Sequence, residues 1–228
     1  MVYLDAAPDY ESLSVDMAWT KQFAIEKKRR KQKEPIIAWL DAKTRWRLHL
    51  FRDDEWAYIA KRVKGGNVLD VGCGGINNVP KQFVPYGIEI EKEAAEISDA
   101  LMRERGGYVV HAPAIEGITQ FEDNFFDGII MRSYLEHEAV PREVLAASYA
   151  KLKPGGVIYV KVPNFDTINR LVRGIDWCGF RFPDHLNYFG INTMQKLAAL
   201  ENYQFSLLNK MTRYTNDNLH AFLVKPQI

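Results

Sequence analysis

From Gly65 onward, short apolar runs alternate along the chain with longer segments that have helical spacing. Strands that alternate with helices are typical of βα units, in which each crossover helix returns the chain so that the next strand runs parallel to the last. The sequence therefore predicts an α/β fold, a Rossmann-like and mainly parallel sheet with helices on both faces. The five expected parallel strands are residues 68–71, 86–90, 108–111, 128–131 and 157–162.

Helix and turn signals define the remaining elements. Residues 91–105 place Ala94, Ile97 and Leu101 at helical spacing. A proline at the start and a Pro-Gly-Gly turn after the end mark a second helix over residues 141–153. Two further helices and an antiparallel C-terminal hairpin complete a seven-stranded sheet: residues 166–173 and 192–200 for the helices, residues 205–209 and 219–224 for the hairpin.

Residues 1–64 show no clear strand pattern, and we expect two or three helices there. Between Lys21 and Arg52 the chain has eleven Lys and Arg against three Asp and Glu, a local surplus of eight positive charges. Such a run is typical of a solvated helix face, but it also suits a phosphate-bearing or nucleic-acid partner, or carboxylate recognition in a ligand site. The aromatic residues around it favour a helical lid over the second domain, residues 65–228.

The composition of the whole chain limits its cellular setting. A net charge of +1 excludes a wholly basic, histone-like nucleic-acid binder. Two cysteines, Cys73 and Cys178, are too few for a disulfide framework and are typical of a reducing compartment. No run approaches about 20 apolar residues, and the first residues lack the pattern of a signal peptide. We therefore expect a cytoplasmic protein without a membrane span.

The strand at residues 68–71 leads into a glycine-rich loop, residues 72–75, with the sequence Gly-Cys-Gly-Gly. Glycines let the backbone approach a ligand closely, because no Cβ intervenes. A phosphate-binding P-loop would need a following lysine, and a dinucleotide fingerprint would need glycine at the position of Asn77. Glu89, at the end of the next strand, instead offers two carboxylate oxygens to the hydroxyls of a ribose. The pattern favours a ribose-containing ligand without a pyrophosphate.

Residues 68–75 and 86–91 resemble the first two motifs of class I S-adenosylmethionine-dependent methyltransferases. Later segments are similar to further motifs of that family in the same order: residues 125–131, 134–137 (Tyr-Leu-Glu-His) and 152–156 (Leu-Lys-Pro-Gly-Gly). Residues 162–164 and 184–189 resemble the subgroup named methyltransferase domain 23, which includes quinone-type O-methyltransferases. The resemblance implies the class I fold, with S-adenosylmethionine as cofactor and S-adenosylhomocysteine as product.

The resemblance also implies which residues bind the cofactor. Glu89 would bind the ribose, Ile90 would pack on the adenine, and Asp70 would support the glycine-rich loop. The loop would lie against the methionine part of the cofactor, and the end of the fourth strand would line the sulfonium: Gly72, Cys73, Gly74 and Gly75 in the loop, Met131, Arg132 and Ser133 at the strand end. The chain departs from the family pattern at Ile76, where a glycine is usual.

The expected reaction is transfer of a methyl group to a small-molecule acceptor, at an oxygen. Such an acceptor profits from a base whose pKa lies near the working pH, so His137 and His185 are the candidate catalytic residues. The aromatic segment 177–189 would form a wall of the acceptor site, and the spacing of the histidines suggests no metal site. Two alternatives stay open: a nucleic-acid (RNA) methyltransferase that uses the basic run at residues 27–33, and a non-catalytic protein that binds S-adenosylmethionine.

Overall fold

The computed structural model describes residues 2–3, 32, 55–75, 78–181 and 184–227. The chain divides into two compact units, one formed by Pro8–Tyr58 and the other by Met1–Ala7 together with Ile59–Ile228. The predicted lid, residues 1–64, falls mostly outside the described residues, so its role stays a prediction. The larger unit carries the sheet.

Strands and helices alternate through the larger unit as the sequence predicts. The strands are β1 (Val2–Tyr3), β2 (Gly66–Val71), β3 (Phe83–Glu89), β4 (Val109–His111), β5 (Phe126–Arg132), β6 (Leu152–Pro163), β7 (Asn187–Tyr188), β8 (Gln204–Leu207) and β9 (Asn218–Val224). The α-helices are α1 (Glu55–Arg62), α2 (Lys92–Arg103), α3 (Ala114–Thr119), α4 (Pro141–Lys151), α5 (Ile168–Arg173) and α6 (Ile191–Leu200), with short 3₁₀ helices at Gly174–Asp176 and Lys210–Thr212.

Seven strands form one sheet in the order β4-β3-β2-β5-β6-β9-β8. Strands β2 to β6 pair in parallel, and β9 is antiparallel to both β6 and β8. The predicted Rossmann-like sheet with an antiparallel C-terminal hairpin is therefore confirmed. The chain leaves β2 toward β3 on one side and later returns to place β5 on the other. An open α/β sheet has a crevice at such a switch point, at the carboxyl ends of its strands.

The central strands form the core because both faces of the sheet are covered. Val68, Leu69 and Val71 of β2 are buried, as are the apolar residues of β5 and β6. Strands buried on both faces have continuous apolar runs rather than an alternating pattern, which is why these strands were visible in the sequence. A cluster of aromatic rings centred on Tyr86 and Phe126 extends the core.

The helix predicted over residues 91–105 is present as α2, but its predicted apolar face is wrong. Ile97 and Leu101 are 47% and 38% exposed, whereas Ala95, Ser98 and Met102 are buried. Ser98 donates a hydrogen bond from its hydroxyl to the carbonyl oxygen of Gly74, so this polar side chain is satisfied inside. A helix face chosen by apolar spacing alone misses a buried serine that bonds to the backbone of a loop.

Three elements were not expected from the sequence. Residues 2–3 form β1, which pairs antiparallel with β7 in a separate two-stranded sheet, although no strand was predicted before residue 65 or within the segment 177–189. Helix α3 follows β4 and was also missed. Elements of two and six residues are too short to show a period. No helix in the described part of the chain is long and apolar enough to cross a membrane.

Candidate active site

The loop after β2 lies at the switch point of the sheet and follows the conformation that its glycines allow. The backbone N–H groups of Gly72 and Cys73 donate to the carbonyl oxygen of Ile88, at 2.9 and 3.3 Å. Gly72 and Gly74 have φ angles of +71° and +63°, a region in which a side chain is strained. A Cβ placed on Gly74 would have no atom of the described residues within 4 Å. The space beside Gly74 is therefore open to a ligand.

The side chain of Cys73 points away from that space. Its Sγ lies so close to β3 that a Cβ on Gly87 would be 2.7 Å from it. Burial, together with the negative charges of Asp70 and Glu89, raises the pKa of the Cys73 thiol to about 12. The thiol stays protonated at neutral pH and does not serve as a nucleophile. Cys73, like its glycine neighbours, therefore has only its backbone to face a cofactor.

Replacing Gly87 with alanine should destabilise the protein by about 1 to 2 kcal/mol, because the new methyl group overlaps a packed core. Besides the Cys73 sulfur, a Cβ at residue 87 would lie 3.1 Å from Val109 and 3.2 Å from Met102. Thermal unfolding of Gly87→Ala should show a lower midpoint than the unmodified chain. Gly128→Ala is the control, since its Cβ would lie no closer than 3.6 Å to the nearest atoms of the described residues and its φ is not in the left-handed region. Equal stability of the unmodified chain and Gly87→Ala would contradict this packing.

Glu89 braces the glycine-rich loop through its carboxylate. Its Oε2 accepts a hydrogen bond from the N–H of Gly74 at 2.7 Å, and its Oε1 accepts from the N–H groups of Ile90 and Glu91 at 2.9 and 3.0 Å. A carboxylate has about four acceptor positions. Three are used by the described residues, and within that part of the chain Oε2 keeps one position for a ribose hydroxyl. The expectation that both oxygens bind the ribose therefore changes to one free position beside the loop.

The end of β5 contributes charged and strained residues to the same edge of the sheet. The Arg132 guanidinium lies 3.6 Å from the carboxylate of Asp70, which is buried on the neighbouring strand. Ser133 has a φ of +51°, and its N–H donates to the carbonyl oxygen of Lys161. A non-glycine residue in this conformation at a strand end is typical of a functional site. Ser133 is exposed and Arg132 half-buried, so both are accessible at the crevice.

Met131 does not belong to this accessible group. Its side chain is completely buried and packs in the main hydrophobic core. Successive residues of a strand point to opposite faces of the sheet, so Met131 and Arg132 cannot both face the same ligand. The expectation that the Met131 side chain lines the cofactor is therefore wrong for this structure.

The remaining cofactor residues fit a nucleoside with an amino-acid tail. Ile90 is 37% exposed and can cover a flat ring, and Gly75 is half-buried beside Ile97. Gly74 donates its N–H to the Oε2 of Glu89, so the open space beside Gly74 lies next to the free acceptor position on Glu89. These residues can therefore hold the ribose and methionine parts of S-adenosylmethionine, and the fit rests on the space that the glycine loop leaves.

A second group of polar residues lies beyond β5, where the segment 134–138 meets residues 184–187. The N–H groups of Leu186 and Asn187 donate to the carbonyl oxygen of Glu136 at 2.7 and 3.0 Å. The Asn187 amide donates to the carbonyl oxygens of Leu135 and Glu138 at 3.2 and 2.6 Å. These bonds bring together two segments that are far apart in the sequence, including His137 and His185.

His137 is fixed by Asp184. Its Nδ1 lies 2.8 Å from the Asp184 carbonyl oxygen and 3.1 Å from the Asp184 carboxylate, which is also 3.0 Å from the Arg181 guanidinium. Burial lowers the pKa of His137, but the Asp184 hydrogen bond and the charge of Glu136 outweigh it, so the net shift is upward. The carbonyl oxygen only accepts, so Nδ1 carries the hydrogen.

His185 lies against His137 at a ring-centroid distance of 4.7 Å, with the two rings nearly perpendicular. Its Nδ1 lies 2.8 Å from the Gly179 carbonyl oxygen, which again requires hydrogen on Nδ1. Burial, together with the charge of the nearby His137, lowers the pKa of His185 to about 3. His185 is therefore a neutral imidazole at neutral pH.

Glu136 completes this group and was not a predicted site residue. Its side chain is 1% exposed, and burial raises its pKa to about 7. Its Oε2 is buried and has no hydrogen-bond partner. An unsatisfied carboxylate oxygen in the interior costs free energy and is rare in folded proteins. The Tyr-Leu-Glu-His signature held the signal for Glu136, but only its histidine was selected from the sequence.

The aromatic segment 177–189 is mostly part of the interior. Trp177 and Phe189 are at most 1% exposed, and the Trp177 ring nitrogen donates to the Asp217 carboxylate at 2.9 Å. Phe180 is half-buried and contacts Trp177 and Tyr188 edge to face. Among the described residues of the segment, Phe180 is the aromatic side chain with surface to offer an acceptor. The acceptor wall predicted for segment 177–189 is therefore limited, within this described part, to the surface of Phe180.

Comparison with known proteins identifies the family of the chain. The family model described as "Methyltransferase domain" matches residues 43–210. A ubiquinone biosynthesis O-methyltransferase of Burkholderia thailandensis is 30% identical over 195 residues, which are 74% of this chain and 81% of that protein. The ubiquinone biosynthesis O-methyltransferase of Burkholderia multivorans is 31% identical over 122 residues, which are 50% of this chain and 50% of that protein. The chain thus spans about half the length of several of the curated relatives it matches.

Solved structures share the fold. A 1,6-didemethyltoxoflavin-N1-methyltransferase of Burkholderia thailandensis, with bound S-adenosylhomocysteine, superposes with a TM-score of 0.59 at 14% identity and covers 99% of this chain and 94% of its own. A SAM-dependent methyltransferase from Archaeoglobus fulgidus has a TM-score of 0.56 at 16% identity, over 74% of this chain and 90% of its own.

The chain therefore belongs to the methyltransferase-domain family and has the fold of class I S-adenosylmethionine-dependent methyltransferases. The predicted family, class of enzyme and cofactor are confirmed. Membership of this family does not identify the acceptor or the role of each site residue.

Proposed function

We propose that this methyltransferase transfers a methyl group to an oxygen of a small-molecule acceptor, and that His137 and His185 act where the acceptor loses its proton. The observation that carries the proposal is the pair of imidazoles, one from the turn after β5 and one from the segment before β7, each with Nδ1 bonded to a backbone carbonyl. In the neutral form of each ring, Nε2 is then the unprotonated nitrogen, the atom that accepts a proton or holds an acceptor. Relatives that are O-methyltransferases support the choice of oxygen.

S-adenosylmethionine supplies a methyl group that its sulfonium has already activated. The acceptor oxygen forms a bond to that carbon while the carbon–sulfur bond breaks and its electron pair stays on sulfur, and the hydroxyl proton leaves to the histidine cluster. The protein needs no covalent intermediate. Its work is to align donor and acceptor and to exclude water.

The loop residues align the donor. Glu89 holds Gly74 in position and keeps one acceptor position for a ribose hydroxyl, while Ile90 covers the adenine. In the sequence, Arg132 and Ser133 lie between Glu89, in the cofactor half of the site, and His137, in the histidine cluster. The order of these residues supports a donor at the glycine loop and an acceptor near residues 134–138.

An acceptor screen with methyl-labelled cofactor tests the proposal. Label should appear in small molecules that carry a phenolic or other hydroxyl, and matched amines and an RNA transcript should stay unlabelled. Label in the RNA alone would favour the nucleic-acid alternative. Binding of S-adenosylhomocysteine with no label in any hydroxyl compound would favour the non-catalytic alternative and contradict the proposal.

The basic run at residues 27–33 lies outside the described residues, and its role is tested directly. Replacing Lys27, Lys28, Arg29 and Arg30 with glutamine should change turnover with a small acceptor by no more than roughly twofold, since charges on a solvated face contribute little. Binding to RNA is measured on the same variant over a salt series. Loss of a tight, strongly salt-dependent RNA complex would overturn this expectation.

A further inference from the structure

We propose that Glu136, His137 and His185 form a binding site for one divalent transition-metal ion. One ligand atom from each residue lies within 4.8 Å of the other two. The three come from the turn after β5 and from the segment that leads into β7. The sequence analysis expected no metal site, because these residues show no ligand spacing along the chain.

The buried carboxylate of Glu136 is the strongest indication. Its Oε2 has no hydrogen-bond partner among the residues that the structure describes, although the side chain is 1% exposed. Burial of an unpaired carboxylate is costly unless a cation or a donor faces it. A bound cation would satisfy the free oxygen and balance its charge.

The two histidines are oriented as metal ligands. Histidines that bind metals usually donate their other ring N–H to a carbonyl or carboxylate oxygen, which fixes the ring and the tautomer. His137 has this bond to the Asp184 carbonyl, and His185 has it to the Gly179 carbonyl. Both rings therefore keep an Nε2 lone pair for an ion. Arg181 holds the Asp184 carboxylate at 3.0 Å and so supports His137 from behind.

The donor set identifies the class of ion. Two imidazoles and one carboxylate suit Zn²⁺, Co²⁺, Mn²⁺ or Fe²⁺, whereas Mg²⁺ and Ca²⁺ prefer oxygen ligands alone. In a tetrahedral Zn²⁺ site with bonds of about 2.1 Å the ligand atoms lie about 3.4 Å apart, so an ion would draw atoms that are now up to 4.8 Å apart together by as much as about 1.4 Å. Three protein ligands leave a coordination position open. A hydroxyl of the acceptor can occupy that position.

The inference deepens the proposed function, and in this respect it rests on it. With an ion bound, both Nε2 lone pairs are occupied, so the ion rather than a histidine would hold the acceptor oxygen and favour loss of its proton, which then passes to water. Metal binding itself does not depend on the acceptor. The closing experiment therefore measures the metal without any methyl transfer, so that failure of one proposal is separable from failure of the other.

The full chain is stripped with a chelator, dialysed, and titrated with Zn²⁺ by calorimetry and with Co²⁺ by visible absorption. We expect one bound ion per chain and cobalt bands typical of nitrogen and oxygen ligands. Glu136→Gln and His185→Ala should each weaken binding by about 100-fold or more, since even loss of a residue behind a ligand costs 10- to 100-fold. His111→Ala, an exposed histidine of the same unit, is the matched control and should bind like the unmodified chain.

Circular dichroism of each variant shows whether it is folded, and His137→Ala provides a third ligand variant if one of the others is not. Absence of a bound ion in the unmodified chain would overturn the inference. Equal weakening in His111→Ala, or unchanged binding in the folded ligand variants, would place the ion elsewhere and overturn it as well. An ion bound as expected in a chain that methylates no hydroxyl would leave this inference standing and contradict the proposed function.

Discussion

Replacing His137 or His185 with alanine should lower turnover about 10²- to 10⁴-fold, with the affinity for S-adenosylhomocysteine nearly unchanged. This is the range by which a positioned group that helps a proton leave contributes to a reaction. The rings contact each other at 4.7 Å, and each is fixed by a separate carbonyl, so loss of either disturbs the same small cluster. Turnover is measured with the hydroxyl compound found in the acceptor screen, and affinity by calorimetry.

His111→Ala is the control for this pair, because His111 is exposed and bonds to the Ile90 carbonyl rather than to the cluster. The double variant should lose little more than the more damaging single variant, since residues that act as a unit are not additive. Full turnover in both folded single variants would show that the reaction proceeds by alignment alone, and our assignment of the two histidines would then be incorrect.

Replacing Glu89 with alanine should weaken binding of S-adenosylhomocysteine by roughly 1.5 to 3 kcal/mol, about 10- to 150-fold, while the protein stays folded. The change removes the acceptor of the Gly74 N–H and the position left for a ribose hydroxyl. Calorimetry gives the affinity directly. Glu93→Ala, an exposed acid in the first turn of α2, is the matched control and should bind normally.

An analogue of the product that lacks the ribose 2′-hydroxyl separates the two roles of Glu89. If Glu89 contacts that hydroxyl, the analogue should lose affinity in the unmodified chain but little more in Glu89→Ala, since the partner is already absent. If the carboxylate only braces the loop, the loss of affinity from removing the 2′-hydroxyl and the loss from Glu89→Ala should add. Unchanged affinity of Glu89→Ala for the product would contradict both roles.

The sheet was predictable from the sequence because its strands are buried on both faces. Residues such as Val68 and Leu69 had to be apolar without interruption, and the helices between strands carried their own start and stop signals, as at Pro141. The same logic failed for the buried face of α2. Burial there depends on a bond from Ser98 to the loop, and no periodicity reports a bond between distant backbone and side chain.

The candidate site was predictable only in part, for a related reason. The glycine loop and Glu89 follow one another along neighbouring strands, so their positions could be inferred from topology. The brace from Glu89 to Gly74 depends on the loop conformation, and the burial of Met131 depends on which face of β5 it occupies. The meeting of Glu136 with His185 depends on the Asn187 bonds between distant segments.

The pairing of β1 with β7 changes what kind of segment precedes the methyltransferase fold. Residues Met1–Ala7 belong to the larger unit, and the chain returns to that unit at Ile59, so Pro8–Tyr58 is an insertion tethered at both ends rather than a free arm. A closed loop loses less entropy when it orders than an arm tied at one end. Truncation from the N-terminus would also remove β1, whose partner β7 begins two residues after His185. The role of the insertion is therefore best tested by excising it between its two tethers.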